Sequence, residues 1–123
     1  MQAADGRRTV CVLLSSGDRR LVEELRCTLS AVGYVPCVMP SRQQMVTPLS
    51  SVIAAAIIDV CNDDNPFPSS LLKHLSHTCR IPCLALTAAR RPDQRVRALQ
   101  EGASDVISRP VYTSEVVARL RAI

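Results

Sequence analysis

The chain has 123 residues, 47% of them apolar, with a formal net charge of +4. That length suits one domain with its own core, and no apolar run approaches the ~20 residues of a membrane-spanning helix. Tryptophan is absent and phenylalanine occurs once, which argues against a base-stacking platform for single-stranded nucleic acid. Arg7-Arg8 precedes an apolar run too short for a signal-peptide core, so the chain reads as cytoplasmic.

Residues 1–8 form a loose polar lead-in. Residues 10–14 are continuously apolar, the mark of a strand buried on both faces. Asp18 is placed to cap a helix whose apolar positions Leu21, Val22, Leu25 and Leu29 recur at helical spacing, and Gly33 ends it. A short strand over 35–39 contains Pro36, which cannot donate to a ladder and so assigns that strand to a sheet edge. Residues 41–53 read ambiguously as a short helix interrupted near Pro48.

A third strand is expected over 54–60, followed by a polar loop over 61–68 with two prolines. Ser69 or Ser70 can start a helix through Leu71, Leu72 and Leu75. The fourth strand is expected over 81–86. A helix from about Pro92, with Val96 and Leu99 expected to face inward, stops at Gly102. Residues 105–108 give the fifth strand, and Thr113 is placed to cap a last helix through Val116, Val117 and Leu120. Strands alternating with helices predict a doubly wound parallel sheet, uninterrupted by any repeat, linker or low-complexity segment.

Chemistry-bearing residues fall at strand ends. Asp59 closes an apolar run, Thr87 follows another, and Arg109 follows a third. A carboxylate, a hydroxyl and a cation would thus meet on the carboxyl edge of the sheet, where open α/β sheets place their chemistry. Cys11, Cys27, Cys37, Cys61 and Cys83 sit in or beside apolar segments and read as small hydrophobes in a reducing compartment. His74, His77, Cys79 and Cys83 lack a Cys-x-x-Cys anchor, so no metal site is expected there. Arg90, Arg91, Arg95 and Arg97 form a basic stretch without a nucleic-acid-binding motif and read as a solvated helix face.

From residue 9 onward the chain resembles the receiver domains of bacterial response regulators. Arg95-Val96-Arg97-Ala98-Leu99-Gln100-Glu101-Gly102-Ala103 is similar to the fourth helix and its exit in the OmpR/PhoB branch. Arg109-Pro110-Val111-Tyr112-Thr113-Ser114-Glu115-Val116-Val117-Ala118-Arg119-Leu120 is similar to that branch's Lys-Pro-Phe segment and last helix. The resemblance implies a flavodoxin- or CheY-like fold over residues 9–123. Five parallel strands would run in the order 2-1-3-4-5 with five helices, and any output domain would lie outside this chain.

It further implies that Asp59 stands at the phosphoacceptor position and that Thr87 is the hydroxyl drawn to a phosphoryl group. Arg109 replaces the family's lysine, with a cis bond expected to Pro110, and is positioned to lock onto Asp59. Val106 replaces the aromatic partner of the threonine switch. The acidic pair that holds Mg²⁺ falls at Ser16 and Gly17, or at Ser15 and Ser16 after a one-residue slip, and neither register supplies a carboxylate. Asp18 is next in line but is placed to cap a helix; Asp63 and Asp64 lie in the following loop.

Phosphoryl transfer between anions depends on a hard cation with oxygen ligands. The expectation is therefore an atypical, non-enzymatic receiver that needs no cofactor and dimerises without phosphorylation. Its symmetric face would comprise the fourth helix, fifth strand and fifth helix, with Arg95, Val96, Leu99, Gln100, Asp105, Glu115, Arg119 and Arg121. The alternative is a working phosphoacceptor that takes its phosphoryl group from a histidine kinase, with Mg²⁺ held by Asp18 or a loop aspartate. In either case the resemblance implies DNA contact only through an output domain, and none with a membrane. A small-molecule enzyme of the same fold is disfavoured by the lack of a glycine-rich phosphate loop.

Overall fold

The computed structural model describes residues 10–39, 53–61 and 67–123. The polar lead-in, the loop acids Asp63 and Asp64, and the helix expected over 41–53 (except Ile53) lie outside the described residues. In chain order the elements are β1 (Val10–Ser15), α1 (Arg19–Ala31), β2 (Tyr34–Val38), β3 (Ile53–Asp59) and α2 (Ser69–Lys73). A π-helical turn (His74–Thr78) extends α2, and β4 (Cys83–Thr87), α3 (Pro92–Gln100), β5 (Asp105–Ser108) and α4 (Thr113–Ala122) follow. All strand pairs are parallel, in the order β2-β1-β3-β4-β5. Four helices thus stand among the described residues where five are expected for the whole chain. β2 lies at the edge, where the missing N–H of Pro36 is tolerated. None of the helices described is long and apolar enough to cross a membrane.

Two apolar layers cover the sheet. On one face Val12, Leu14, Ile57, Leu84, Leu86 and Ile107 meet Leu21, Leu25 and Leu29 of α1 and Val116 and Leu120 of α4. On the other, Leu13, Ala56, Ile58 and Ala85 meet Leu72, Leu75 and Ala98. The period-two alternation of a strand divides these residues between the faces. It is interrupted once, in β3. Cys11 pairs with Ile53 and Val12 with Ala55, so exposed Ala54 is an extra residue and its bulge resets the facing of the strand. Ile57 and Ile58 then bury fully on opposite sides and carry Asp59 to the carboxyl edge.

Two local expectations are corrected. Val96 and Leu99 do not face inward; they are 53% and 52% exposed, while Gln94 and Ala98 bury. The Gln94 Oε1 atom accepts a hydrogen bond from Ala88 N at 2.8 Å, so the amide enters the interior with its acceptor satisfied and ties down the β4–α3 loop. Ala98, with no bulk beyond Cβ, lets α3 approach the sheet closely. The last helix is capped by Tyr112, whose side chain makes no capping bond, with Thr113 as its first residue. Asp18 is the N-cap of α1 and accepts from Leu21 N.

Candidate functional site

Asp59, Thr87 and Arg109 all lie at the carboxyl edge of the sheet, at or just beyond the ends of β3, β4 and β5. The Asp59 side chain is 6% exposed. Its Oδ1 accepts from Cys61 N at 3.1 Å and from the Cys61 thiol at 2.9 Å. Its Oδ2 accepts from Ser16 Oγ and from Arg109 Nη2, each at 2.7 Å. An ionised carboxylate has about four acceptor sites. All four are filled by this protein's own donors.

The ring of contacts closes through the β1–α1 loop. Ser16 Oγ accepts from Asp18 N at 3.0 Å while donating to Asp59. Asp18 caps α1 through Oδ1 at 3.1 Å, and its Oδ2 stands 3.6 Å from Arg109 Nη1. Capping and facing the site were set against each other as readings of the sequence, yet the two oxygens of one carboxylate do both. Gly17 contributes no side chain, and Ser15 belongs to β1, opposite Ile58.

Arg109 Nε donates to Cys61 Sγ. Burial opposes the guanidinium charge, but the contact with Cys61 and the attraction of Asp59 and Asp18 hold its pKa above the usual arginine value. Burial, followed by the hydrogen bond to Asp59, pushes the Cys61 thiol up; Arg109 acts in the opposite sense. A neutral thiol at physiological pH is consistent with both bonds, since S–H donates to Asp59 and a sulfur lone pair accepts from Arg109. Gly17, Asp18, Asp59, Cys61 and Arg109 line an open cleft of about 310 Å³.

Thr87 is fully buried and does not join this ring. Its Oγ1 lies 3.2 Å from Ser108 Oγ, the residue paired with it across β4 and β5. Val106 pairs with Ala85, two residues before Thr87 on the same face of the sheet, and packs there on the α2 and α3 side. The Arg109-Pro110 bond is cis. Two participants were missed in the sequence: the side chain of Cys61 and that of Ser108. Their only signal is position, two residues after Asp59 and one before Arg109.

On the α3–β5–α4 surface Arg119 bridges Asp105 at 2.9 Å and Glu115 at 3.2 Å. Val96, Leu99, Arg95, Gln100 and Arg121 are exposed around it. In the basic stretch, Arg91 forks onto Asp93 with two 2.9 Å bonds, holding that carboxyl at about 2. Arg97 bonds Glu101 and Ser69 at 3.0 Å each and lies 4.3 Å over the Phe67 ring. Cys79 Sγ is 3.5 Å from His74 Nε2, and among the described residues no group of three or more His, Cys, Asp or Glu side chains is arranged to hold a metal.

No protein-family model matches the chain. Transcriptional regulatory protein HprR of Escherichia coli is 32% identical over 116 residues, spanning 90% of this chain and 50% of that protein. Transcriptional regulatory protein CpxR of Klebsiella pneumoniae is 31% identical over 112 residues, spanning 91% and 48%. A solved two-component response regulator from Clostridium difficile superposes with a TM-score of 0.79 at 16% identity, covering 93% of this chain and 94% of that one. The chain spans about half the length of the curated relatives it matches. With its strand order, its edge aspartate and this similarity over about nine-tenths of its length, the chain has the receiver-domain fold and is similar to response regulators of the OmpR/PhoB type.

Proposed function

We propose that this receiver is a degenerate one, acting as a dimerisation and signalling module without Mg²⁺-dependent phosphorylation. The observation that carries this reading is the saturation of Asp59 by Ser16, Arg109 and two donors of Cys61. Mg²⁺ takes oxygen ligands in near-ideal octahedral geometry, bound through one or two carboxylates and waters. The residues around Asp59 do not fit that ion. The acidic-pair positions bring Ser15, Ser16 and Gly17, and the second carboxylate of the cleft, on Asp18, is held by its cap and by Arg109. A planar guanidinium bonded to Oδ2 supplies the charge neutralisation that a cation brings in a working receiver. Thr87, bonded to Ser108 rather than turned to Asp59, and the apolar Val106 are consistent with a switch that is not thrown by a phosphoryl group.

The symmetric partner surface in this reading is α3, β5 and α4. A two-fold interface sets a patch against its own copy and so needs both charge signs within it. The Asp105–Arg119–Glu115 cluster with exposed Val96 and Leu99 meets that need. By analogy with the relatives, the whole protein is read as a cytoplasmic transcription regulator, touching DNA through a separate output domain and answering to a histidine kinase or a substitute input.

The test is exposure to Mg²⁺ with beryllofluoride, a phosphoryl mimic, followed by NMR and sedimentation. The expected result is no saturable shift and a self-association unaltered by the mimic. Saturable binding lost in Asp59→Ala, together with a change in dimerisation, would establish the second reading, a working phosphoacceptor. That reading is favoured by the shared cleft of Asp18 and Asp59. Arg119→Glu tests the surface; unchanged self-association in sedimentation assigns the dimer elsewhere.

A further inference from the structure

Away from the Asp59 cleft, the edge of the sheet carries two thiols that none of the chemistry above uses. Cys11 of β1 pairs with Val35, and Leu13 pairs with Cys37 of β2. Cys11 and Cys37 therefore project from the same face as diagonal neighbours. Both pack beside Leu13 against the second apolar layer, where Met39 joins them. Both are free and partly exposed, so a small solute can reach them. Burial raises the pKa of Cys37, and the charge and side-chain contact of Cys11 raise it further, which places the thiols within each other's influence.

Their spacing discriminates between the outcomes open to a dithiol. In this parallel pair, with strands about 4.8 Å apart and a rise of about 3.3 Å per residue, diagonal neighbours two residues apart have Cα atoms about 8 Å apart. A disulfide needs Cα atoms about 4.4–6.8 Å apart and would require the strands to shift. A metal ion between two sulfurs lengthens the bridge by its own width and suits the diagonal. Zn²⁺ takes four ligands in its structural sites, whereas no third His, Cys, Asp or Glu joins this pair among the described residues. Soft thiolates select soft ions, and Cu(I) is content with few of them.

We propose that Cys11 and Cys37 form a two-thiolate site for a soft monovalent cation, with Cu(I) as the probe that reads it. Two S–H bonds break, two metal–sulfur bonds form, and two protons leave; copper stays in the +1 state and nothing is oxidised or reduced. The bound centre has one net negative charge. Because both protons must be displaced, affinity rises with pH below the thiol pKa values.

The experiment is an anaerobic titration of the chain with Cu(I) in competition with a chromophoric Cu(I) chelator. One equivalent is expected to bind, with proton release and tighter binding at higher pH. Loss of an outer-sphere partner alone costs a metal site 10–100-fold. Removing one of only two ligands, in Cys11→Ser or Cys37→Ser, is therefore expected to weaken binding by ~100-fold or more. Cys27→Ser on α1 and Cys79→Ser beside His74 are expected to leave it unchanged.

X-ray absorption on the copper-loaded wild-type protein reads the ligand set without any variant, and two sulfurs are expected. Three or more ligands, wild-type affinity in the Cys11→Ser/Cys37→Ser double variant, or no copper retained against the chelator would overturn the proposal. So would a Cys11–Cys37 disulfide formed in the folded protein in air, since the spacing argument would then be wrong.

Discussion

Replacing Arg109 with alanine removes the cation from a carboxylate that has almost no access to water. Asp59 is 6% exposed and Arg109 is 28% exposed at the side chain, so the pair lies between the buried and surface regimes. Breaking a buried pair by deleting one partner costs 3–5 kcal/mol, whereas exposed pairs contribute about 0–1 kcal/mol. Three of the four donors to Asp59 remain after the change, which moderates the loss. An intermediate cost of about 2 kcal/mol follows. For a domain of this size each kcal/mol moves Tm by roughly 3–5 °C, so Arg109→Ala should melt about 6–10 °C lower at neutral pH by calorimetry.

The cycle with Asp59→Asn isolates the cause. A neutral amide has no charge to leave unpaired, so the Asp59→Asn/Arg109→Ala double variant should recover part of the loss, with a coupling of ~1 kcal/mol or more. A melt of Arg109→Ala within ~2 °C of wild type, or strictly additive single effects, would refute the account of Arg109 as the fixed counter-charge of Asp59.

Asp18→Ala should cost about 1 kcal/mol in urea denaturation, the usual effect of losing an N-cap side chain, because Oδ1 caps α1 at Leu21. Two glycines with left-handed backbones should respond unequally to alanine. At Gly33 (φ +98°) a Cβ meets open space, so only the backbone conformation resists, at ~1–2 kcal/mol. At Gly102 (φ +117°) the Cβ would overlap Ser76 Oγ, so its midpoint should fall further; equal midpoints would contradict that packing. Burial pushes the Cys83 thiol up to about 12 from 9.0. It should therefore resist iodoacetamide at pH 8 in the folded protein while exposed Cys27 is alkylated, as read by peptide mass spectrometry. The sign follows from linkage: with the folded pKa raised, this contribution is complete below 9.0 and is lost as pH rises toward 12.

Much of the architecture was legible in the chain. Continuous apolar runs can bury only as central strands of a layered sheet, and Pro36 excludes its strand from the middle; β2 is indeed the edge. Asp18 and Gly33 marked the ends of α1 because capping and left-handed closure are local chemistry, needing no distant partner. Leu21, Val22, Leu25 and Leu29, predicted on one stripe, all bury. Periodicity failed for α3: Val96 and Leu99, expected to face inward, are exposed, and Gln94 buries instead. Which face turns in depends on what lies opposite, and Ala88 N, six residues earlier in the chain, supplies the partner that lets Gln94 bury.

The candidate site divides in the same way. By itself the sequence determined that a carboxylate, a hydroxyl and a cation end three successive strands, and that carboxylates are missing from positions 15–17. Only the tertiary structure decided what surrounds the carboxylate: Ser16 from 43 residues away, Arg109 from 50, and the thiol of Cys61 between them. It also decided that Thr87 bonds Ser108 instead of joining that ring. The physical reason is that strand identity is written in local hydrophobic pattern. The occupancy of a carboxylate's four acceptor sites depends instead on where side chains from separate loops end in space, and no local pattern encodes that position.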